Sequence, residues 1–285
     1  MPIDYEHLMS LRTRGERVQY TDRDTLLYAL GVGLGRDPGN RPELPFLSDP
    51  AGLKTLPTLA SVLVGNRLLD DCGWNAAQVV LREERVGLER PIEEAGVLLM
   101  DSDVASVLDR GAEGGALVTV ETRARRERDG QPMFTVRRTW LARRDGGFGG
   151  PQGRNEGGSV AGHPLPQRRP DMTRTFETRP DQAFLFRLSL DRGDLPRNPA
   201  ARRPDPPALD GLCLQGIACL AILSEICEYD HTLIRSLSAA LAGPASPGET
   251  LVAELWQDAN VVSCRLRVPE RDAVVLDQGR CVLVA

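Results

Sequence analysis

Hydrophobic and polar positions change rhythm twice along this chain. Behind Tyr20-Thr21-Asp22-Arg23-Asp24, Leu26, Leu27, Leu30 and Leu34 recur at helical spacing. Thr21 is a suitable cap, and Asp22 and Asp24 suit the positive end of a helix. Gly31, Gly33 and Gly35 weaken that helix and end it. A Pro/Gly-rich loop runs from Arg36 to about Leu53. Pro57 then opens a second helix, PTLASVLVGNRLLDD, apolar almost all round through Leu63. Such a helix suits the inside of a sheet. From Val79 the rhythm turns to strands: VVLREERVGLERPI, VLLMDSDVASVLDRG, ALVTVETRARRER and QPMFTVRRTWLARR. Asp129-Gly130 marks a hairpin turn between the last two.

The stretch from Asp145 to about Asp171 is rich in Gly and Pro and has no periodic face, so it reads as a linker. The first rhythm then returns. Asp181 to Leu188 is a strand-like or helical lead-in, and an Arg/Pro-rich loop follows. Asp210-Gly211 leads into an almost wholly apolar segment, Leu212 to Cys227. Strands follow at TLIRSLSAALAG, ETLVAELWQD, VVSCRLRVPE and DAVVLDQGRCVLVA, with turns at Pro244 to Gly248 and at Asp277-Gln278-Gly279. Both halves therefore run loop, buried helix, antiparallel strands. The repeat is roughly 130 residues, far too long for a solenoid unit. The expected fold is α+β, a double hot-dog: two curved antiparallel sheets, each wrapped around a central hydrophobic helix. The expected division is 1–145, a Gly/Pro-rich linker at 146–175, and 176–285.

Composition narrows the partners. The 285 residues carry a net charge of −5, which argues against a general nucleic-acid binder. Lys54 is the sole lysine, so Arg supplies nearly all the positive charge. No apolar run approaches the roughly 20 residues of a membrane span. The N-terminus has no apolar signal region. The six cysteines lack a CxxC pair, and three sit in the apolar segment after Gly211. They read as reduced structural thiols, which suits a cytoplasmic protein. The three histidines, His7, His163 and His231, have no metal-ligand spacing. No metal or cofactor is expected. GGFGGPQG is not a phosphate loop, because it lacks the lysine and the strand–helix context.

Several stretches resemble one family. YTDRDTLLYALGVGLG (Tyr20 to Gly35), TLPTLASVLVG (Thr55 to Gly65), GGFGGP (Gly146 to Pro151) and PGETLVAELW (Pro247 to Trp256) are similar to the two-domain MaoC-like, R-specific 2-enoyl-CoA hydratases. GLCLQGIA (Gly211 to Ala218) is similar to the family's helix start, and VPERDAVVLDQG to its closing strands. The resemblance implies a double hot-dog fold, an acyl-CoA thioester ligand, and a homodimer or a hetero-oligomer with a homologue. It implies an acyl chain held by the N-terminal half and catalysis in the C-terminal half. The implied reaction is reversible addition of water to a trans-2-enoyl-CoA, giving the R-3-hydroxyacyl-CoA. The family's motif is D-x-N-P-L-H, followed by H-G-L-C at a helix start. Its Asp and His activate water, and the helix-start Gly N–H binds the thioester carbonyl.

This chain departs from that motif. Asp191 takes the place of the catalytic Asp, Gly193 that of the Asn, Asp194 that of the Pro, and Pro196 that of the His. Asp210-Gly211-Leu212-Cys213 stands for H-G-L-C. Proline has no titratable group, so it cannot handle a proton. Two carboxylates can replace a histidine if burial or crowding keeps one protonated. Asp191, Asp194 and Asp210 are therefore the candidate catalytic residues, and Gly211 and Leu212 the candidate substrate-binding residues. Each has a plainer reading: Asp191 and Asp194 as loop residues, Asp210 as a helix cap, Gly211 as a close-packing glycine. The Arg cluster (Arg192, Arg197, Arg202, Arg203) reads as a solvated loop or as a contact for CoA phosphates. Three functions remain open at this point: a hydratase with altered acid/base groups, an inactive acyl-CoA-binding homologue, and a hot-dog thioesterase.

Overall fold

Glu84 and Ala239 pair where two families of strands meet, and that seam joins the halves of the molecule. The computed structural model describes residues 3–48, 51–65, 68, 72–74, 78–152, 162–190 and 208–284. Five strands precede the seam: β1 (Arg12–Tyr20), β2 (Val79–Leu88), β3 (Gly96–Asp109), β4 (Ala116–Arg126) and β5 (Pro132–Ala142). Five follow it: β6 (Met172–Glu177), β7 (Ile234–Leu241), β8 (Thr250–Asp258), β9 (Val261–Val268) and β10 (Ala273–Leu283). They form one sheet in the order β1-β3-β4-β5-β2-β7-β10-β9-β8-β6, and every pair is antiparallel.

The helices are α1 (Tyr5–Ser10), α2 (Asp22–Val32), α3 (Leu59–Leu63), α4 (Gln182–Leu190) and α5 (Gly211–Glu225). Helix α5 is buried without interruption from Leu212 to Leu223. A helix apolar on all faces needs cover on all faces. Strands β6 to β10 cover one side of it, and α2 and α3 approach from the other half. This is the expected α+β, double hot-dog arrangement, with the two half-sheets fused edge to edge.

Three expectations need refinement. The second helix is shorter than the apolar pattern suggests: its described turns end at Leu63. Strands β1 and β6 carry polar sequences, RTRGERVQY and MTRTFE, and have no clean alternation to announce them. Both lie at the ends of the sheet, where one side of the strand needs no apolar partner. The Gly-rich stretch after β5 is also tied down locally. The Asp109 carboxylate accepts N–H bonds from Gly111 (2.8 Å), Gly147 (2.7 Å) and Gly149 (2.8 Å). Phe148 stacks on Tyr5.

Of the leucines that announce helix α2, Leu34 is buried just past its end, Leu26 and Leu27 are half-buried, and Leu30 faces out. The helix's buried face is Thr25, Tyr28, Ala29, Gly31 and Val32. Helix α4 lies against it so closely that a Cβ on Gly31 would stand 2.8 Å from the Phe186 Cα. Gln182 locks the pair by donating to the carbonyls of Val32 (3.0 Å) and Gly31 (3.3 Å). All six cysteines are buried free thiols, as read from their spacing. Burial pushes the Cys227 thiol up to about 11 and the Cys264 thiol up to about 12.

Candidate active site

Helix α5 begins where the seam between the halves passes beneath it. Asp210 is its cap: the carboxylate Oδ1 accepts the Leu212 N–H at 2.9 Å. That leaves the Gly211 N–H without an intrahelical acceptor, as at any helix start. It sits at the positive end of the helix dipole, where developing negative charge is favoured. Leu209 is held by its N–H to the Ala245 carbonyl at 2.7 Å, which anchors the entry to the helix. Gly211 also has the packing role foreseen for it. A Cβ there would meet the Leu241 Cδ1 at 2.2 Å, so the end of β7 lies directly over the helix start.

Asp210 keeps some exposed surface, but protein atoms surround it densely. Burial raises its carboxyl, against the Leu212 N–H and the positive charge of Arg138, which lower it. Arg138 is the residue that sequence reasoning missed. It reads as one of two adjacent arginines on a strand of alternating charge, an ordinary solvated position. In the fold it is buried. Its Nε donates to Glu84 Oε1 at 2.9 Å, and its guanidinium also donates to the carbonyls of Val64 (3.2 Å) and Ser61. Burial raises the Glu84 carboxyl, Arg138 opposes that shift, and the charge of Asp210 adds to it. Glu84, Arg138 and Asp210 thus form one electrostatic group at the start of α5.

Asp191 and Asp194, like Pro196 and the Arg cluster, lie outside the described residues. Asp210, Gly211 and Leu212 are together, as any cap and its helix must be. Leu212 is buried and contributes its N–H to Asp210. Two histidines have places of their own. His163 Nε2 is 2.8 Å from Ser263 Oγ, and His231 packs edge-on to Phe46. Among the described residues no cluster of His, Cys, Asp or Glu could hold a metal ion.

Comparison with known proteins now adds to this geometry. Residues 18–144 match the family described as MFE-2 hydratase 2 N-terminal domain. The enoyl-CoA hydratase ChsH3 of Mycobacterium tuberculosis is 32% identical over 289 residues, covering 98% of each chain. The chain belongs to the MaoC-like hydratase family. Peroxisomal enoyl-CoA hydratase 2 of Arabidopsis thaliana is 31% identical, covering 91% of this chain and 89% of that one. A solved MaoC-like dehydratase from Phytophthora capsici superposes with a TM-score of 0.80 at 25% identity, over 99% of this chain and 98% of that one. These relatives span the whole length, so both halves of this MaoC-like chain share in the likeness.

Proposed function

We infer that this MaoC-like protein catalyses the reversible hydration of a trans-2-enoyl-CoA to the R-3-hydroxyacyl-CoA, with carboxylates in place of the family histidine. The observation that supports it most is Asp210. It is a carboxyl raised by burial, one residue from a helix-start N–H without an intrahelical acceptor. A carboxyl poised nearer the working pH can give and take a proton.

In the forward direction water attacks C3. One O–H bond breaks as the C3–O bond forms, and the electron pair of the C2=C3 bond moves toward the thioester oxygen. The Gly211 N–H receives that developing charge. A carboxylate takes the water proton while a protonated carboxyl gives its proton to C2, and a proton passing between the two carboxyls restores them. Asp210 Oδ1 is occupied by Leu212, so Oδ2 is its oxygen for proton transfer. Asp191, by its place in the motif, is the partner carboxylate, and Asp194 is the further candidate from the sequence.

The test is hydration of crotonyl-CoA, followed by loss of the enoyl absorbance. Asp210→Asn keeps the cap but cannot donate or accept that proton. Its rate is expected to fall by about 10²–10⁴-fold. Full activity in this variant would remove Asp210 from the mechanism. Absence of turnover by the unaltered protein with every chain length would remove the hydratase reading. It would favour the second one, a homologue that binds acyl-CoA without turnover, for which Pro196 is the motivating residue. That reading expects thermal stabilisation by acyl-CoA alone.

Association with a second copy or a homologous chain, and a cytoplasmic location, belong to the same proposal. Exposed Leu30, Phe184 and Leu188 on the paired α2 and α4 support association. Among the described residues no helix is long and apolar enough to cross a membrane. The solution mass by light scattering tests the first, and cell fractionation the second. The division into two halves with a linker at 146–175 is likewise proposed; limited proteolysis tests it.

A further inference from the structure

Behind Asp210 the seam brings up a second carboxyl. Glu84 lies opposite Ala239 of β7. Two residues further along β7 is Leu241, whose side chain covers Gly211. Glu84 and the start of α5 are thus neighbours, one from each half of the chain. Glu84 is wholly out of solvent, whereas Asp210 is half-buried. Asp210 is therefore the carboxyl on the accessible side, and Glu84 the one behind it. Each has one oxygen engaged: Arg138 Nε donates to Glu84 Oε1 and the Leu212 N–H to Asp210 Oδ1, both at 2.9 Å. Glu84 Oε2 is buried and finds no hydrogen-bond partner among the described residues. Burial penalises such an oxygen far more on an ionised carboxylate than on a protonated carboxyl.

Counting charges shows what this group can hold. Arg138 is always cationic, and its charge acts on both carboxyls. With both carboxyls ionised the group has one negative charge too many. With both protonated it has one positive charge too many. Burial disfavours either imbalance. A single proton for the two carboxyls leaves the group neutral, as for other crowded carboxyl pairs. The remaining titratable neighbours do not alter the count. Burial raises the Tyr28 phenol of α2 and the Cys213 thiol of α5, so both are neutral near neutral pH. Glu16 of β1 borders a small cavity beside Arg138, together with Thr13 and Trp140, but keeps contact with solvent. Arg85 and Arg137, the chain neighbours of Glu84 and Arg138, are exposed.

We propose that Glu84 is a positioning residue for the reaction: it and Asp210 hold one proton between them, balanced by Arg138, across the seam of the two halves. The inference rests on the acid/base role given to Asp210 in the preceding subsection. The shared proton makes Asp210 available in two forms near neutral pH. Asp210 is protonated while Glu84 is the ionised partner of Arg138, and ionised while Glu84 carries the proton. Neither form strands a charge. A group present both as acid and as base suits a reversible hydration. Glu84 itself is sealed from the substrate and acts through Asp210.

The experiment counts that proton through its linkage to stability, which needs no turnover. Urea unfolding is measured against pH for the unaltered protein, Glu84→Gln, Asp210→Asn and the double variant. The folded pair keeps a proton that the unfolded chain releases above the ordinary carboxylate range. Stability therefore falls as pH rises through that window, with the slope of about one proton. Either single substitution leaves one carboxylate to balance Arg138 and is expected to abolish that slope, and the double variant to lose no second proton. Other titrating groups are common to all four proteins and drop out of the comparison. Slopes that fall in two steps, one for each substitution, overturn the proposal. So does an Asp210→Asn slope equal to that of the unaltered protein, a comparison that stands even if Glu84→Gln does not fold.

In turnover of crotonyl-CoA, Glu84→Gln is expected to move the limb of kcat/KM that titrates with Asp210 to lower pH by about one unit or more, with KM unchanged. A uniform loss of rate with an unmoved limb marks a merely structural residue and also overturns the proposal. Turnover with two independent protons sinks this proposal alone. A shared proton in a protein without turnover sinks the hydratase reading and leaves the pair standing.

Discussion

Glu84 on β2 and Arg138 on β5 face each other in register and meet at 2.9 Å between Oε1 and Nε, both out of solvent. The same arginine holds the carbonyls of Ser61 and Val64 at the end of α3. One side chain therefore fastens the sheet, the short helix of the N-terminal half and the approach to α5.

Removing one partner of a buried pair leaves an uncompensated charge. Arg138→Met is expected to cost about 3–5 kcal/mol in urea unfolding. The double variant Glu84→Gln with Arg138→Met removes the stranded carboxylate and is expected to be the milder change. A double variant worse than the sum of the two singles would show that the pair is not the unit that matters.

Asp210 carries a pH signature with a definite sign. Its folded carboxyl is raised above the ordinary aspartate value, chiefly by burial, so the folded state holds the proton more tightly than the unfolded chain. This contribution to stability is fully present below the unfolded value. It is lost as pH rises through the folded one. Asp210→Asn keeps an effective cap and is expected to match or exceed the unaltered protein in stability near neutral pH. That advantage should vanish in acid. Chemical unfolding at a series of pH values checks this, and a destabilised Asn variant at neutral pH would contradict it.

The opposite sign applies to Asp109. Its carboxyl is lowered, chiefly by the Gly147 N–H, with burial opposing and the Gly111 and Gly149 N–H groups adding to the lowering. The stability it contributes is present above the unfolded value and is lost as pH falls through the folded one. Asp109→Ala leaves several N–H groups without their acceptor. Charge-assisted bonds are each worth about 1.5–3 kcal/mol, so a clear drop in Tm is expected. Faster proteolytic cleavage of the Gly-rich segment should accompany it. An unchanged cleavage rate would show that this segment is held by something else.

Gly31→Ala tests the contact between α2 and α4. Alanine suits an exposed helix better than glycine by about 1 kcal/mol. Here its Cβ would meet the Phe186 backbone at 2.8 Å, and backbone cannot swing aside. Net destabilisation of about 1–3 kcal/mol is expected from the overpacking. Phe186→Leu should not rescue it, since the conflict is with the main chain.

Much of the scaffold was legible. Strands β2 to β5 and β7 to β10 announce themselves because each half-buried strand must alternate or run apolar. Helix α5 does so because it is apolar on every face. Strands β1 and β6 did not, since edge strands need no such pattern. Leu30 misled: its spacing fits a core helix, but in the fold it is exposed and Gly31 and Val32 carry the contact.

By itself the sequence determined the class of fold, the repeat of helix and strands, and the place of Asp210 and Gly211 at a helix start. Those depend on periodicity, turn residues and capping, which act between neighbours in the chain. Only the tertiary structure decided that Arg138 is buried, that Glu84 and Asp210 share its field, and that Thr13 and Trp140 converge on one cavity. Thr13 and Trp140 stand on strands separated by β3 and β4 in the sheet order. No local pattern encodes such a meeting, because closure of the sheet around its core creates it.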